Sequence, residues 1–472
     1  MKLKKKISFL LLLALVFTIA LTGCRRKTPP EAQKNYAGIE LTYYKFLEDT
    51  DVMQPFINDY IAKHPGLKIN YRKFSDFDEY QRVLLNEMAE GEGPDLFSVP
   101  NTWFASNYKK ISPLPLEVGN PEAFSATFVD VAAKDLVRPD GEGVKRIYGL
   151  PMTVDNLALY YNKSHFEDSL PQTGKPSNTW EGIKEDVKEL SKFNDEYGVF
   201  ERSGIALGRG DSISRSLDAI FAMMLQSGTQ FYDSQLKMAT FANRKADFPA
   251  FEALKLYTSF SDERVDNFSF NDEVVEGIDG KEVEAFARGD VSMILGYSYT
   301  NDQILNYINL LNSRGVAAIK KSDMKVALLP QLYDPQISSN KRVTYANYFA
   351  ETVSRNSDNP DIAWDFLLEL TSKENLTKYF NKTHKPTSRR DMINDQVLDP
   401  EFGVFAAQVG FAESFPVFDY DLYKKLFLRL ADNFSENGST LNELVKAQEE
   451  VNKLIPKGGF IPFLTPKNDQ AG

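Results

Sequence analysis

IELTYYKFLEDTDVMQPFINDYIAKHPGLKINYRKFSDFDEYQRVLLNEMAEGEGPDLFSV, residues 39–99, decides the fold. Ile39 to Tyr44 is apolar and rich in β-prone residues. Asp51 to Lys63 places Val52, Met53, Phe56, Ile57, Tyr60 and Ile61 at helical spacing, and Pro65-Gly66 breaks the pattern. Leu67 to Phe74 returns to strand character. Phe77 to Glu90 is helical again through Tyr80, Val83, Leu84 and Met88. Gly91 to Pro94 is a sharp break, and Leu96 to Val99 reads as a buried strand. The order β-α-β-α-β predicts a mostly parallel sheet with helices on both faces. Ligands of such sheets bind beyond the carboxyl ends of the strands. Phe46 to Asp49 and Pro100 to Trp103 are therefore the first segments of interest.

The later chain repeats the idiom. Thr179 is placed to N-cap a helix whose apolar face is Ile183, Val187 and Leu190. Gly204 to Leu207 is strand-like. Lys281 to Arg288 reads as a helix closed by Gly289, followed by a strand from Val291 to Leu295. Asn359-Pro360 opens a helix with Ile362, Ala363, Phe366, Leu367 and Leu370 on one face. Trp180 and Trp364 sit in helical patterns and read as packing residues. With 472 residues, two α/β lobes fit better than one sheet.

Met1 to Lys6 carries four lysines, and Ile7 to Thr22 is an uncharged run ending in Leu21-Thr22-Gly23-Cys24. The run is shorter than the roughly 20 residues of a spanning helix. A basic start, an apolar stretch and small residues before a cut describe a secretory signal. Leu21 to Cys24 resembles the lipobox of bacterial lipoproteins, which implies cleavage after residue 23, acyl chains on Cys24 and a membrane anchor. Residues 24–35, with Pro29 and Pro30, then form a tether, and 461–472 a tail. Losing the four lysines takes the formal charge from −11 to −15. Such a chain repels phosphates, which argues against a nucleic-acid partner. Cys24 is the only cysteine and His64, His165 and His384 are scattered, so a Cys/His zinc site lacks material. Neither a metal nor another cofactor is expected.

Four stretches carry a family resemblance: Gly93-Pro94-Asp95-Leu96-Phe97; Tyr148 to Pro151 running on through Asp155 to Lys163; Phe286 to Ile294; and Ala363-Trp364-Asp365-Phe366-Leu367. In their order and spacing they resemble the family 1 extracellular solute-binding proteins, the sugar-binding lipoproteins that serve ABC importers and share the maltose-binding fold. The resemblance implies an α/β, two-lobed periplasmic-binding-protein-like fold, each lobe a mostly parallel sheet flanked by helices, with the ligand cleft between the lobes. Crossings between lobes are expected near Met152 to Asp155, Lys325 to Pro330 and Ala350 to Asn356. The N-lobe would hold 36–153 plus 328–350, and the C-lobe 154–327 plus 351–460. Hinge closure over the ligand would bury it between rigid bodies. The resemblance also implies a monomer that hands a small solute, a sugar or oligosaccharide, to ABC permease subunits on the extracytoplasmic side of the membrane.

Sugar hydroxyls need donors and acceptors, and sugar C–H faces suit aromatic faces with their negative quadrupole. A sugar site should therefore interleave aromatics with carboxylates, amides and guanidinium groups at strand ends. Asn101 and Trp103 follow the third strand, and Asp155 and Asn156 lie at the first crossing. Arg209 and Asp211 follow Gly204 to Leu207. Tyr297 and Tyr299 follow the strand ending at Leu295, and only one of a strand's alternate side chains faces a cleft. Asn347 and Tyr348 precede the last expected crossing. In the resembled family these positions generally face the ligand.

Enzymatic readings rank lower. A glycoside hydrolase needs two carboxylates at a set separation, and 66 acidic residues always supply some pair. There is no G-x-S-x-G elbow, H-E-x-x-H or G-x-x-x-x-G-K-[ST] segment. A lipoprotein enzyme of cell-surface polysaccharide and a non-transport adhesin or scaffold stand as alternatives, and a cationic solute suits an acidic, aromatic cleft.

Overall fold

The computed structural model describes residues 36–455 apart from 141, 235, 244–247, 335–340 and 439. The signal segment 1–23, Cys24, the tether and the tail 461–472 lie outside the described residues. Strands β1 (Glu40–Phe46), β2 (Lys68–Phe74) and β3 (Leu96–Pro100) alternate with helices Thr50–Lys63 and Phe77–Glu90, as the opening stretch predicts. The second helix starts where the Asp76 carboxylate accepts the Glu79 N–H at 2.7 Å, and stops at Gly91, whose φ of 83° favours glycine. β1 pairs with β2 and with β3, both in parallel.

Two later segments complete this sheet. Strand Phe349–Val353 pairs antiparallel with β3, and Leu150–Pro151 pairs antiparallel beyond it. Because the chain re-enters the first sheet at Phe349, the two helices after that strand stay on the first lobe. Helices Pro360–Leu370 and Lys373–Thr383 bury Ile362, Trp364, Phe366, Leu367 and Tyr379 in the same core as Leu41, Tyr43, Ile57 and Phe97. The Tyr60 hydroxyl donates to Asp365 at 2.8 Å and Lys63 pairs with Glu369 at 2.7 Å, tying the late helix to the early one. The packing thus departs from the expected division, which gave 351–460 to the C-lobe and 328–350 to the N-lobe: Leu329 and Tyr345 lie in the other core.

The second core gathers Leu157, Trp180, Ile183, Val187, Leu190, Ile220, Phe221, Met293 and Phe427. Its sheet places Ala158–Asn162 between Met293–Gly296 and Met324–Ala327, and both pairings are antiparallel. The expectation of a mostly parallel sheet fails here for a topological reason: the central strand leaves the crossing while its neighbours run back toward it. Gly204–Leu207 is buried but forms no strand, touching the sheet through a Ser203–Val291 bridge and the Ala206 N–H to Met293 carbonyl bond at 3.0 Å. Helix Lys281–Arg288 closes at Gly289 with φ 91°.

Among the described residues the chain passes directly between these two cores at three places, and Phe405 reaches a third cluster with Tyr160 and Ile294 of the second lobe. Val154 lies in the first and Leu157 in the second; Tyr345 lies in the second and Ala346 in the first; Ala412 lies in the first and Phe415 in the second. The second and third crossings therefore fall at 345–346 and 412–415, not at Lys325 to Pro330 and Ala350 to Asn356. The first two run side by side, Asp155 opposite Asn347 and Asn156 opposite Ala346. Among the described residues no helix is long and apolar enough to cross a membrane.

Candidate functional site

The antiparallel second sheet delivers a chain end to the crossing. After Gly296 the backbone turns through Tyr297 and Ser298 to Tyr299, and helix Thr300–Ser313 begins. The turn is fixed at both ends. The Thr300 hydroxyl accepts the Tyr297 N–H at 3.1 Å. The Asp155 carboxylate, on the crossing strand, accepts the Ser298 N–H at 3.0 Å, the Ser298 hydroxyl at 2.6 Å and the Asn156 N–H at 2.8 Å. Burial pushes the Asp155 carboxyl up to about 6, and these donors pull it back only in part. The hinge thereby holds two rings in place: Tyr297 and Tyr299 stack at 5.6 Å with planes 24° apart.

Arg215, just before helix Ser216–Gln226, packs against both rings, its guanidinium carbon 5.8 Å from the Tyr297 centroid and 5.5 Å from that of Tyr299. The one side-chain hydrogen bond it makes among the described residues is a long one, 3.5 Å from Nη1 to Asp218. Tyr297 is fully buried, yet its hydroxyl makes no hydrogen bond of good geometry. Asp218 is also buried, which raises its carboxyl, while Arg215 pulls it down. Tyr420 opens the helix Tyr420–Asn437, is 37% exposed, and feels the charges of Asp218 and Arg215.

Across the crossing stand the ends of β1 and β3. Leu47, directly after β1, holds a left-handed φ of 63° and is 57% exposed, two costs for a leucine at one residue. Glu48 beside it is buried and accepts from the Tyr379 hydroxyl and, at 3.0 Å, from Lys385. Burial works against its charge, but Lys385 and Lys45 hold its carboxyl below the ordinary value. Trp103 lies half-buried on helix Asn101–Asn107, edge-on to Phe77 at 6.5 Å. One turn on, the Ser106 hydroxyl donates to the Phe418 carbonyl, so this helix touches the other lobe two residues before Tyr420.

The structure brings together Asp155, Tyr297 and Tyr299, with Asn347 opposite Asp155 in the crossing strands. Other expected residues are committed inside the protein. The Asn101 amide donates to the Ala346 carbonyl at 3.3 Å and accepts the Tyr348 N–H. Asn156 is fully buried between the Phe405 carbonyl and the Gln408 amide, both at 2.9 Å. The Tyr348 hydroxyl donates to Asp135 at 2.8 Å in the first core. Arg209 is held by Asp272 at 2.6 Å and Glu436 at 3.0 Å, away from the tyrosine pair. Asp211 is exposed and offers its carbonyl to Lys281. Sequence reasoning passed over Arg215 and Tyr420, and it marked the segment Phe46 to Asp49 without singling out Leu47. A lone Arg215-Asp218 pair opening the apolar run Leu217 to Leu225 was a readable signal; the backbone of Leu47 was not. Among the described residues no group of three or more His, Cys, Asp or Glu side chains is placed to hold a metal ion.

Comparison with known proteins agrees with this two-lobed plan. An ABC-transporter solute-binding protein of Thermotoga lettingae, solved with alpha-D-tagatose, superposes with a TM-score of 0.64 at 20% identity over 88% of this chain and 99% of its own. The sugar-binding protein MalE of Xanthomonas citri gives 0.68 at 14% identity, covering 88% and 97%. A Brucella abortus protein described only as a binding protein is 23% identical over 360 residues, 75% of this chain and 77% of its own. The family model of bacterial extracellular solute-binding proteins matches residues 56–403, and this chain belongs to that family of binding proteins rather than to an enzyme family.

Proposed function

We propose that the protein is a lipid-anchored extracytoplasmic receptor that captures a sugar or oligosaccharide between its lobes and hands it to the permease of an ABC importer. The observation that carries this reading is the hinge-fixed Tyr297–Tyr299 pair with Arg215 beside it. It offers an aromatic face and a guanidinium edge where the strand ends of both lobes converge. An aromatic ring suits the C–H face of a pyranose, and a guanidinium suits its oxygens. Tyr299, Arg215 and Tyr420 form the grip on the second lobe; Leu47 and Trp103 face it from the first. Asp155 acts as a positioning residue for the turn. Proteins of this fold solved with tagatose and with maltotetraose support a saccharide. Family membership supports the extracytoplasmic location, and Leu21 to Cys24 supports acylation at Cys24. Solute capture needs no bond broken: a ligand that contacts both lobes stabilises the closed arrangement by that difference in contacts.

A thermal-shift panel of neutral and acidic saccharides, polyamines and peptides against the chain from Arg25 tests this. The expected result is a melting rise with saccharide and no turnover; at 100-fold excess over Kd the gain is about 2.7 kcal/mol. Release of reducing ends, or a rise with polyamine or peptide alone, contradicts it. Anchoring is tested apart from binding: Cys24→Ser should move the protein from the membrane fraction to the medium.

A further inference from the structure

Arg215 stands between two spaces. Its guanidinium packs against Tyr297 and Tyr299, and the side chain also lines a cavity of about 200 Å³ on the second lobe. That cavity has a second cation, Lys281, and neutral hydrogen-bonding side chains from Ser214, Thr300 and Gln303; Asp279 lines it, and the buried carboxylates of Glu282 and Asp218 stand behind Ser214 and Arg215. The guanidinium is also underused. Its side chain is only 26% exposed, and its one hydrogen bond among the described residues is the 3.5 Å contact with Asp218. A guanidinium carries five donors in a planar fork, and a partly buried cation with most of them idle is an incomplete site. The same fork matches a carboxylate with two parallel bonds, which a hydroxyl cannot offer. Lys281 is held at a left-handed φ of 48°, and its ammonium donates to the Asp211 carbonyl.

We propose that the captured solute is an acidic saccharide, a uronic acid or an oligosaccharide containing one. Its ring lies on Tyr299 and its carboxylate enters the Arg215 cavity, paired by Arg215 with Lys281 as the longer-range charge. This rests on the saccharide-receptor reading and narrows it.

The test compares wild-type protein with galacturonate and glucuronate oligosaccharides and with the matching neutral oligosaccharides, by calorimetric titration at low and physiological salt. The acidic series should bind at least about tenfold tighter, a factor set by one good bidentate pair, and should weaken as salt rises. Arg215→Gln should weaken both series, but the acidic one by at least about tenfold more, so that the preference for acid is erased, and Arg215→Lys should restore the preference in part, since charge returns without the fork. Equal or tighter binding of neutral saccharides by the wild type overturns the inference and leaves the receptor reading intact. An acidic preference that survives in Arg215→Gln overturns the assigned pocket. Absence of binding to either series overturns both, and because these comparisons start from the wild type, a variant that fails to fold leaves the first of them standing.

Discussion

The two lobes bring similar residues to the crossing and use them differently. On the first lobe the amide of Asn101, the carboxylate of Glu48 and the hydroxyl of Tyr348 are each met by internal partners. On the second, the Arg215 guanidinium makes one long hydrogen bond and packs against the Tyr297 and Tyr299 rings. Polar groups met inside the protein hold a lobe together, whereas those left unmet are available to a guest, because an unmet buried donor carries a penalty that a ligand removes. The first edge is thus a rigid wall and the second a grip.

The largest expected effect tests the wall. Lys45 and Glu351 form a buried ion pair across the first sheet, with the Tyr43 hydroxyl donating to the same carboxylate. Lys45→Met should lower unfolding free energy by about 3–5 kcal/mol, since it strands a buried charge. Denaturant melts read this directly, and the added Glu351→Gln change should recover much of it; a loss under about 1 kcal/mol for Lys45→Met would show that the pair does not hold this lobe.

The next effect sharpens the contrast. Tyr299→Ala should weaken saccharide binding by about 1–3 kcal/mol and leave the unliganded melt almost unchanged. Tyr348→Phe should do the reverse, lowering the unliganded stability by about 1–2 kcal/mol as buried Asp135 loses a donor, with affinity preserved. Matching behaviour in the two variants would erase the distinction between wall and grip.

Between the lobes, Asp155 predicts a pH signature. Its native carboxyl titrates at about 6, above the ordinary 3.8, so the folded chain holds this proton more tightly than the unfolded one. The stabilising contribution is present below about pH 4 and is lost as pH rises through 6. Asp155→Asn should therefore trail the wild type by more at pH 4 than at pH 8, with a change on the order of 2 kcal/mol. A deficit constant across that range would place the carboxyl in ordinary solvent. The smallest effect belongs to Arg209, which touches neither edge: Arg209→Ala should cost about 1 kcal/mol or less of stability and leave saccharide affinity unaltered.

Much of the fold was readable because its signals are local. The alternation of residues 39–99, the Asn359-Pro360 helix start and the Gly289 stop each state their structure within a few residues. The assignment of helices to lobes was not readable, because it depends on Phe349–Val353 joining β3 from far along the chain, and nothing in either strand names its partner. The site was legible by position and not by role. Asn156 and Tyr348 carry sugar-binding chemistry in their side chains, and only their distant partners Gln408 and Asp135 show that this chemistry is used indoors. Arg215 escaped notice for the opposite reason: its importance lies in what it fails to touch.

Calorimetric titration of the saccharide that raises the melting point most, into wild type, Tyr299→Ala and Asn101→Ala, tests the asymmetry most directly. Affinity should fall at least about tenfold in Tyr299→Ala and stay within about threefold of wild type in Asn101→Ala once both are checked to be folded. The opposite order, with Asn101 carrying the affinity and Tyr299 dispensable, would place the grip on the first lobe and contradict the account.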